Sequence, residues 1–271
     1  MKTLTKPNTH ARAFYLSDAG KLAVNPGVEI EDIPGAAEII VPKVLAKGTD
    51  YLLVEKAGKL RAEAAPYDED FVTEHAAGGF HVGLDGKIVE ASIWDAAFRP
   101  SAPDPRGMVL VGDTFWVDIY LTGANAFTEG TSRAGAVIAD GGDPPLVGPG
   151  IRAERFNFWT ARDLLAAHGK QLLSAAEFEL AAIGVVENQT AGKDPKKTGH
   201  IKGLRSTAGV EQATGCMWTW SRDIRPSGWI TLLGGYWGSS GAGPRRLNSG
   251  SATYSNVGVG ARGRCDHLIL A

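Results

Sequence analysis

The sequence predicts an α+β protein, with a β-rich N-terminal region over residues 1–150 followed by a smaller mixed domain over residues 151–271. Three observations lead there. Short apolar runs alternate with turn residues through the first half, two segments of helical periodicity follow residue 150, and glycine crowds the last forty positions. A chain of 271 residues that is 44% hydrophobic can bury a substantial core. Its 35 glycines, many of them near the end, favour loops and short strands there over helix.

In the N-terminal region Ala13–Leu16, Val28–Ile30, Ile39–Val41 and Tyr51–Val54 are separated by Asn25-Pro26-Gly27, Pro34-Gly35 and Ala57-Gly58. This is the pattern of short strands in hairpins. In Gly78–Leu84 a strand would place Phe80, Val82 and Leu84 on one face and His81 on the other, with Asp85-Gly86 as the turn. The proline-rich stretch from Ile93 to Met108 is expected to be a structured loop, since proline fixes backbone angles without forming helix. Phe115–Leu121 is again β-prone. Glycine and proline then cluster over 141–150, where the boundary between the two parts is expected.

Beyond the boundary, Trp159, Ala161, Leu164 and Leu165 recur at helical spacing, and Gly169 can close that helix. Ser174-Ala175-Ala176-Glu177 is a capping box that opens a second helix. Phe178, Ala181 and Ala182 form its buried stripe, and Gly184 ends it.

Charge and composition exclude several function classes. A formal net charge of −2 provides no basic field for nucleic acid or an anionic membrane. No stretch reaches the roughly 18 to 20 apolar residues of a membrane span, so no membrane insertion is expected. The first residues lack the apolar run of a secretory signal, and export by that route is not expected. Cys216 and Cys265 are too few for a disulfide framework and read as two buried thiols. His75 and His81 lack a third ligand, and no cofactor or metal is expected. His267 and Asp266 are neighbours on a strand and point to opposite faces, so they are not a catalytic dyad. The lysines between Lys193 and Lys202, interrupted by Pro195 and Gly199, read as a solvated loop.

The most specific pattern lies near the end of the chain. Ala213-Thr214-Gly215-Cys216-Met217-Trp218-Thr219-Trp220 is followed by Leu232-Leu233-Gly234-Gly235-Tyr236-Trp237 and then by Gly260-Ala261-Arg262-Gly263-Arg264-Cys265-Asp266-His267-Leu268. In order and spacing, with two helices before it, this resembles the formylglycine-generating-enzyme branch of the C-type-lectin fold. More closely, it is similar to the variable proteins of diversity-generating retroelements, a family that includes phage tropism-determining tail proteins. The resemblance covers roughly residues 155–271, and Trp94–Leu121 matches the upstream part of such phage proteins less diagnostically.

The resemblance implies a C-type-lectin-like C-terminal domain. It also implies a hypervariable protein that binds a host-surface receptor, protein or glycan, from a phage tail or a cell surface. Family likeness further implies a homo-oligomer, such as a trimer, whose weak sites would add through avidity. Two rival functions are an enzyme of the sulfatase-modifying type and an invariant structural virion protein. For the first, the positions that match the catalytic cysteine pair are Ser239 and Pro244, and neither supplies a thiolate. The Asn and Glu that hold calcium in some members of the fold are Cys216 and Thr219 here, so calcium at that spot is not expected, leaving Asp194, Asp223 and Asp266 as oxygen donors elsewhere.

Residues 236–259 contain no Lys, Glu, Gln or Met. In the resembled family, adenines of template Asn codons are randomised, which yields Tyr, Ser, Gly, Ala, Asn, Thr, Val or Arg. Apart from Trp237, every residue type in the segment can be written by a codon ending in C, which fits that scheme, and the segment has the composition of an antibody paratope. A glycine-rich loop has a similar composition simply because tight turns need Gly, Ser and Asn. The fixed-looking flanks favour the variable reading. Tyr236, Gly238, Ser239, Ala242, Arg246, Tyr254 and Val257 are the expected surface-variable, ligand-binding positions. Trp237 and Arg262 are expected to be scaffold. Trp159, Trp218, Trp220 and Trp237 are expected mostly in the core, and Trp229 could flank the binding face from a short loop.

Overall fold

A computed structural model describes residues 1–33, 38–65, 67 and 76–269. Its centre is a ten-stranded sheet that runs from Met108–Val111 through Phe115–Asp118, Gly263–Ile269, Phe98–Pro100, Trp94–Asp95, Ala76–Val82, Thr49–Lys56 and Lys59–Ala64 to Ile39–Ile40. Gln171–Leu172 pairs with Gly263–Ile269 off this path. Two small antiparallel pairs, Leu4–Thr5 with Glu29–Ile30 and Phe14–Leu16 with Leu22–Val24, cover one end. A four-stranded sheet of order Leu247–Gly250, Ile230–Leu233, Trp218–Ile224 and Val259–Gly260 carries the C-terminal segment. Helices are few, in line with the α+β expectation and its β-rich first half.

The expected division near residue 150 does not coincide with a break in the central sheet. The last strand, Gly263–Ile269, lies between Phe115–Asp118 and Phe98–Pro100, with Trp116 opposite Cys265 and Arg99 opposite Leu268. Sequence punctuation at 141–150 marks turns and a small hairpin, Leu146–Gly148 with Ile151–Arg152, whereas sheet continuity depends on a pairing partner more than a hundred residues away. The stretch expected to be a proline-rich loop therefore contains two short strands, Trp94–Asp95 and Phe98–Pro100. Pro100 sits at the end of its strand, where one missing N–H is tolerated.

Close packing in the sheet depends on Gly78 and Gly79. A Cβ at Gly78 would lie 2.3 Å from the Trp94 carbonyl oxygen and 2.7 Å from the Phe14 ring. One at Gly79 would lie 2.8 Å from the Trp94 ring. His81 does point away from Phe80 and Val82, but into a second buried layer. Its Nδ1 lies 3.0 Å from Asp50 Oδ2 and its Nε2 3.2 Å from the Tyr120 hydroxyl. His75, its suggested partner, lies outside the described residues.

The first long helix spans Phe158–Ala167, capped by the Asn157 side chain, which accepts from the Thr160 N–H at 3.1 Å. Its buried face is Phe158, Ala161, Leu164 and Leu165. Trp159, expected in that stripe, is 44% exposed instead. Phe158 begins the stripe at i, i+3, i+7, which turns Trp159 outward by one residue. There it packs edge-on against Phe158 and beneath the Arg162 guanidinium, 4.7 Å from the ring centre. The second helix, Ala175–Ala181, has both capping-box bonds. Ser174 Oγ accepts from the Glu177 N–H at 3.3 Å, and the Glu177 carboxylate accepts from the Ser174 N–H at 2.8 Å. Phe178, Ala181 and Ala182 are buried as the spacing predicts.

Candidate ligand-binding face

Residues 236–259 are held to the scaffold mainly by backbone bonds. Gly234 and Gly235, at φ +91° and +85°, turn the chain out of the strand Ile230–Leu233. Tyr236 then pairs with Cys216 in an isolated parallel bridge, and the Trp237 N–H donates to the Cys216 carbonyl at 3.1 Å. Ser239 closes a tight turn, its Oγ accepting from the Tyr236 N–H and its own N–H donating to the Tyr236 carbonyl, both at 3.0 Å. After residue 246 the chain rejoins the sheet, with Leu247 opposite Leu233 and Gly250 opposite Ile230. It returns along Trp218–Thr219 through Val259 and Gly260.

The base of this face is fixed by Arg262, which is buried among backbone carbonyls. Its Nη1 donates to the carbonyl oxygens of Asp118 and Ile119 at 2.8 and 2.7 Å. Its Nη2 donates to those of Glu211 and Gln212 at 2.7 and 3.2 Å. Burial pulls its pKa down to about 10, so it remains a cation at neutral pH. Close by, Lys170 Nζ lies 2.6 Å from Asp118 Oδ1, and Asp118 Oδ2 accepts from the Gly263 N–H at 3.1 Å. The scaffold role expected of Arg262 thus has a physical basis in four carbonyl contacts that join separate segments.

The expected positions fall into distinct places. Tyr236 and Tyr254 line one open pocket of roughly 500 Å³. Tyr254 is 43% exposed, and its ring lies against Gly250, where a Cβ would come within 3.3 Å of it. Tyr236 is half-buried, its ring edge-on to Trp237 at 5.2 Å and lying over Gly258. Gly238, Ser239, Arg246 and Val257 lie outside the pocket lining. Gly238 and Arg246 are exposed, Ser239 is half-buried, and Val257 is 41% exposed. A Cβ at Gly238 would touch the Tyr236 ring at 3.0 Å, so a side chain there would reshape the tyrosine's surroundings.

Ala242 is a correction: it is only 3% exposed and cannot present a side chain to a ligand. The loop folds it over Gly215 and Gly235, whose hypothetical Cβ atoms would lie 3.3 and 3.0 Å from its own, and its carbonyl accepts from the Asn188 N–H at 2.7 Å. Composition marked the segment, but only the path of the loop shows which of its residues turn inward.

The pocket also draws on two tryptophans outside residues 236–257, of which the sequence placed only Trp218 elsewhere. Trp218, expected in the core, is half-buried and lines it, while Trp220, two residues on and on the same strand face, is fully buried against Phe158. Trp229 lines it from the opposite turn at 51% exposure. Asn248, Ser249, Ser251 and Asn256 supply the polar part of the lining. The alternation of Trp218-Thr219-Trp220 signalled a shared face but not which tryptophan would be covered.

The cysteines, the candidate oxygen donors and His267 are each held by contacts within the fold. Burial pushes the Cys216 thiol up to about 12 and raises that of Cys265, so neither is a ready thiolate. Asp223 accepts from the Ala175 N–H, Asp194 pairs with Lys196 at 2.8 Å, and Asp266 pairs with Arg264. His267 Nδ1 accepts from Trp116 Nε1 at 2.9 Å and packs on Phe98, which places it away from Asp266 as strand geometry requires.

No protein-family model matches the chain. The chain is 34% identical over 285 residues to the tail fiber receptor-binding protein of Bordetella phage BPP-1, covering 85% of this chain and 74% of that one. Among solved structures it is similar to the M1 variant of the major tropism determinant. The TM-score is 0.87 at 30% identity, over 100% of this chain and 87% of the other. The U1 variant gives a TM-score of 0.86 at 30% identity, over 98% and 86%. The identity, the coverage and the shared C-type-lectin-like scaffold together show that the chain belongs to the family of phage tail-fibre receptor-binding proteins that includes the major tropism determinants.

Proposed function

We propose that this chain is a tropism determinant of a phage or prophage tail, binding a host-surface receptor through the face built by residues 236–257. The observation that carries this reading is the meeting of Tyr236 and Tyr254 around one open pocket, on a segment whose backbone is pinned to the sheet at both ends. Tyrosine offers rigid contact area with little entropy to lose, and the surrounding Ser, Gly and Asn offer adaptable hydrogen bonds. Such a face can change its side chains while the scaffold stays folded.

The protein would act by binding and not by catalysis: the positions that match the oxidase cysteines are Ser239 and Pro244, and the two thiols present are buried. Diversification by a retroelement would account for the composition of 236–257. A homo-oligomer, such as a trimer, would raise the avidity of weak individual sites. Exchange of Tyr236, Gly238, Ser239, Arg246, Tyr254 and Val257 for other residues of the same set should move adsorption of the labelled chain between bacterial strains. Unchanged adsorption across such exchanges would contradict the reading. A reverse transcriptase and a near-copy of codons 236–264 differing at adenines, found in the adjacent DNA, would support diversification, and their absence would remove it.

A further inference from the structure

We infer that the pocket between Trp218, Trp229, Tyr236 and Tyr254 takes a neutral saccharide, a ligand class that rests on the receptor-binding reading above and narrows it. Three features of the lining point the same way.

The first is charge. Among the described residues, none that lines the pocket is acidic, basic or histidine. The nearby Arg225 guanidinium is turned to the backbone, donating to the Asn248 carbonyl at 3.0 Å. A charged ligand would lose its hydration here without gaining a counter-charge, so an uncharged one is favoured.

The second is the aromatic content. Four rings line a concavity of roughly 500 Å³, within the range of about 300 to 1,000 Å³ where small-molecule sites fall. Trp218 and Trp229 lie outside residues 236–257, so two of the four rings are independent of any change in that segment. The electron-rich face of an aromatic ring attracts the slightly positive C–H groups that a pyranose presents on one side. Two aromatic platforms from outside residues 236–257, beside polar groups within that segment, suit ligands that present a ring with hydroxyl substituents.

The third is the polar groups. The Asn248 side-chain oxygen accepts from the Ser249 N–H, and that of Asn256 from the Gly258 N–H, each at 2.9 Å. Each amide is thereby held by its oxygen and offers its two N–H donors to a ligand acceptor. Ser249 and Ser251 add hydroxyls that can both donate and accept. Sugar hydroxyls match this mixed set. A purely apolar side chain from a protein receptor would leave these donors unpaired on burial, at a cost.

The test uses the fluorescently labelled full chain on a panel of bacterial strains. A strain that binds it is treated with periodate, which cleaves vicinal diols, or with proteinase K. Trp229→Ala and Trp229→Phe are compared with the parent. Loss of adsorption after periodate, about a tenfold loss for Trp229→Ala, and binding by Trp229→Phe within about threefold of the parent are expected. Adsorption that survives periodate but not proteinase K overturns the saccharide and leaves a protein receptor, with receptor binding intact. Parent-like adsorption by Trp229→Ala overturns the assignment to this pocket. Failure of the parent chain to adsorb to any strain counts against receptor binding itself.

Discussion

The Arg262 guanidinium donates to the Asp118 carbonyl at 2.8 Å across 144 positions of sequence, tying the final strand to the middle of the chain. The same side chain reaches the Glu211 and Gln212 carbonyls, just before the strand Trp218–Ile224 that borders the candidate face. Replacing it by Ala would take a charged donor from four buried carbonyls, of which that of Ile119 keeps the Glu211 N–H at 2.9 Å. Arg262→Ala is expected to lose about 3 kcal/mol or more in urea unfolding. Arg262→Lys should recover little, because one ammonium cannot span both carbonyl pairs. A loss below about 1 kcal/mol for Arg262→Ala would show that the carbonyls find other donors.

Glu211 gives a titration test. Burial raises its carboxyl above the ordinary glutamate value, while the contacts with His200 and then Arg205 pull it down. Nδ1 of His200 lies 2.9 Å from Glu211 Oε2. Removing the histidine should therefore raise the Glu211 pKa further, read by carbon NMR of the side-chain carboxyl in His200→Ala. The sign for stability follows from the raised folded value. Between the unfolded and folded pKa the native state holds the extra proton, so this group's contribution falls as pH rises through that window and recovers as pH falls. An unchanged or lowered Glu211 pKa in His200→Ala would contradict the pairing.

The two thiols should be silent in the folded protein. With Cys216 pushed up to about 12 and both residues buried, neither should react with a disulfide reagent at pH 8 until denaturant is added. Rapid modification of the native chain would mean that the strands carrying them open easily.

Much of the local structure was legible because its causes are local. Ser174 and Glu177 satisfy each other within one turn, and Gly169 at φ +69° ends the first long helix where its spacing predicts. The motif frame around Trp218, Gly234 and Arg262 correctly placed the lectin-like scaffold. What escaped depends on distant partners. The final strand enters the sheet beside Phe115–Asp118 because Trp116 meets Cys265 there, a pairing that no local signal encodes. Ala242 looks like a loop residue until Gly215 and Gly235 are folded beneath it. Trp159 and Phe158 exchange burial through a single-residue rotation of the helix, within the error of any periodicity reading. Trp218 joined the candidate pocket from outside the segment that composition had marked, whereas Trp229 flanks it as its loop position suggested.

On the proposed reading, binding and folding reside in separate residues of this face. The most direct test is the Tyr236→Ala, Tyr254→Ala double variant, followed by thermal unfolding and by capture of cells from a strain that adsorbs the parent. Tyr254 is exposed and Tyr236 half-buried, so the unfolding free energy should fall by no more than about 1 kcal/mol, while cell capture drops at least about tenfold. A variant that no longer folds, or one that folds and still captures cells like the parent, would contradict the account.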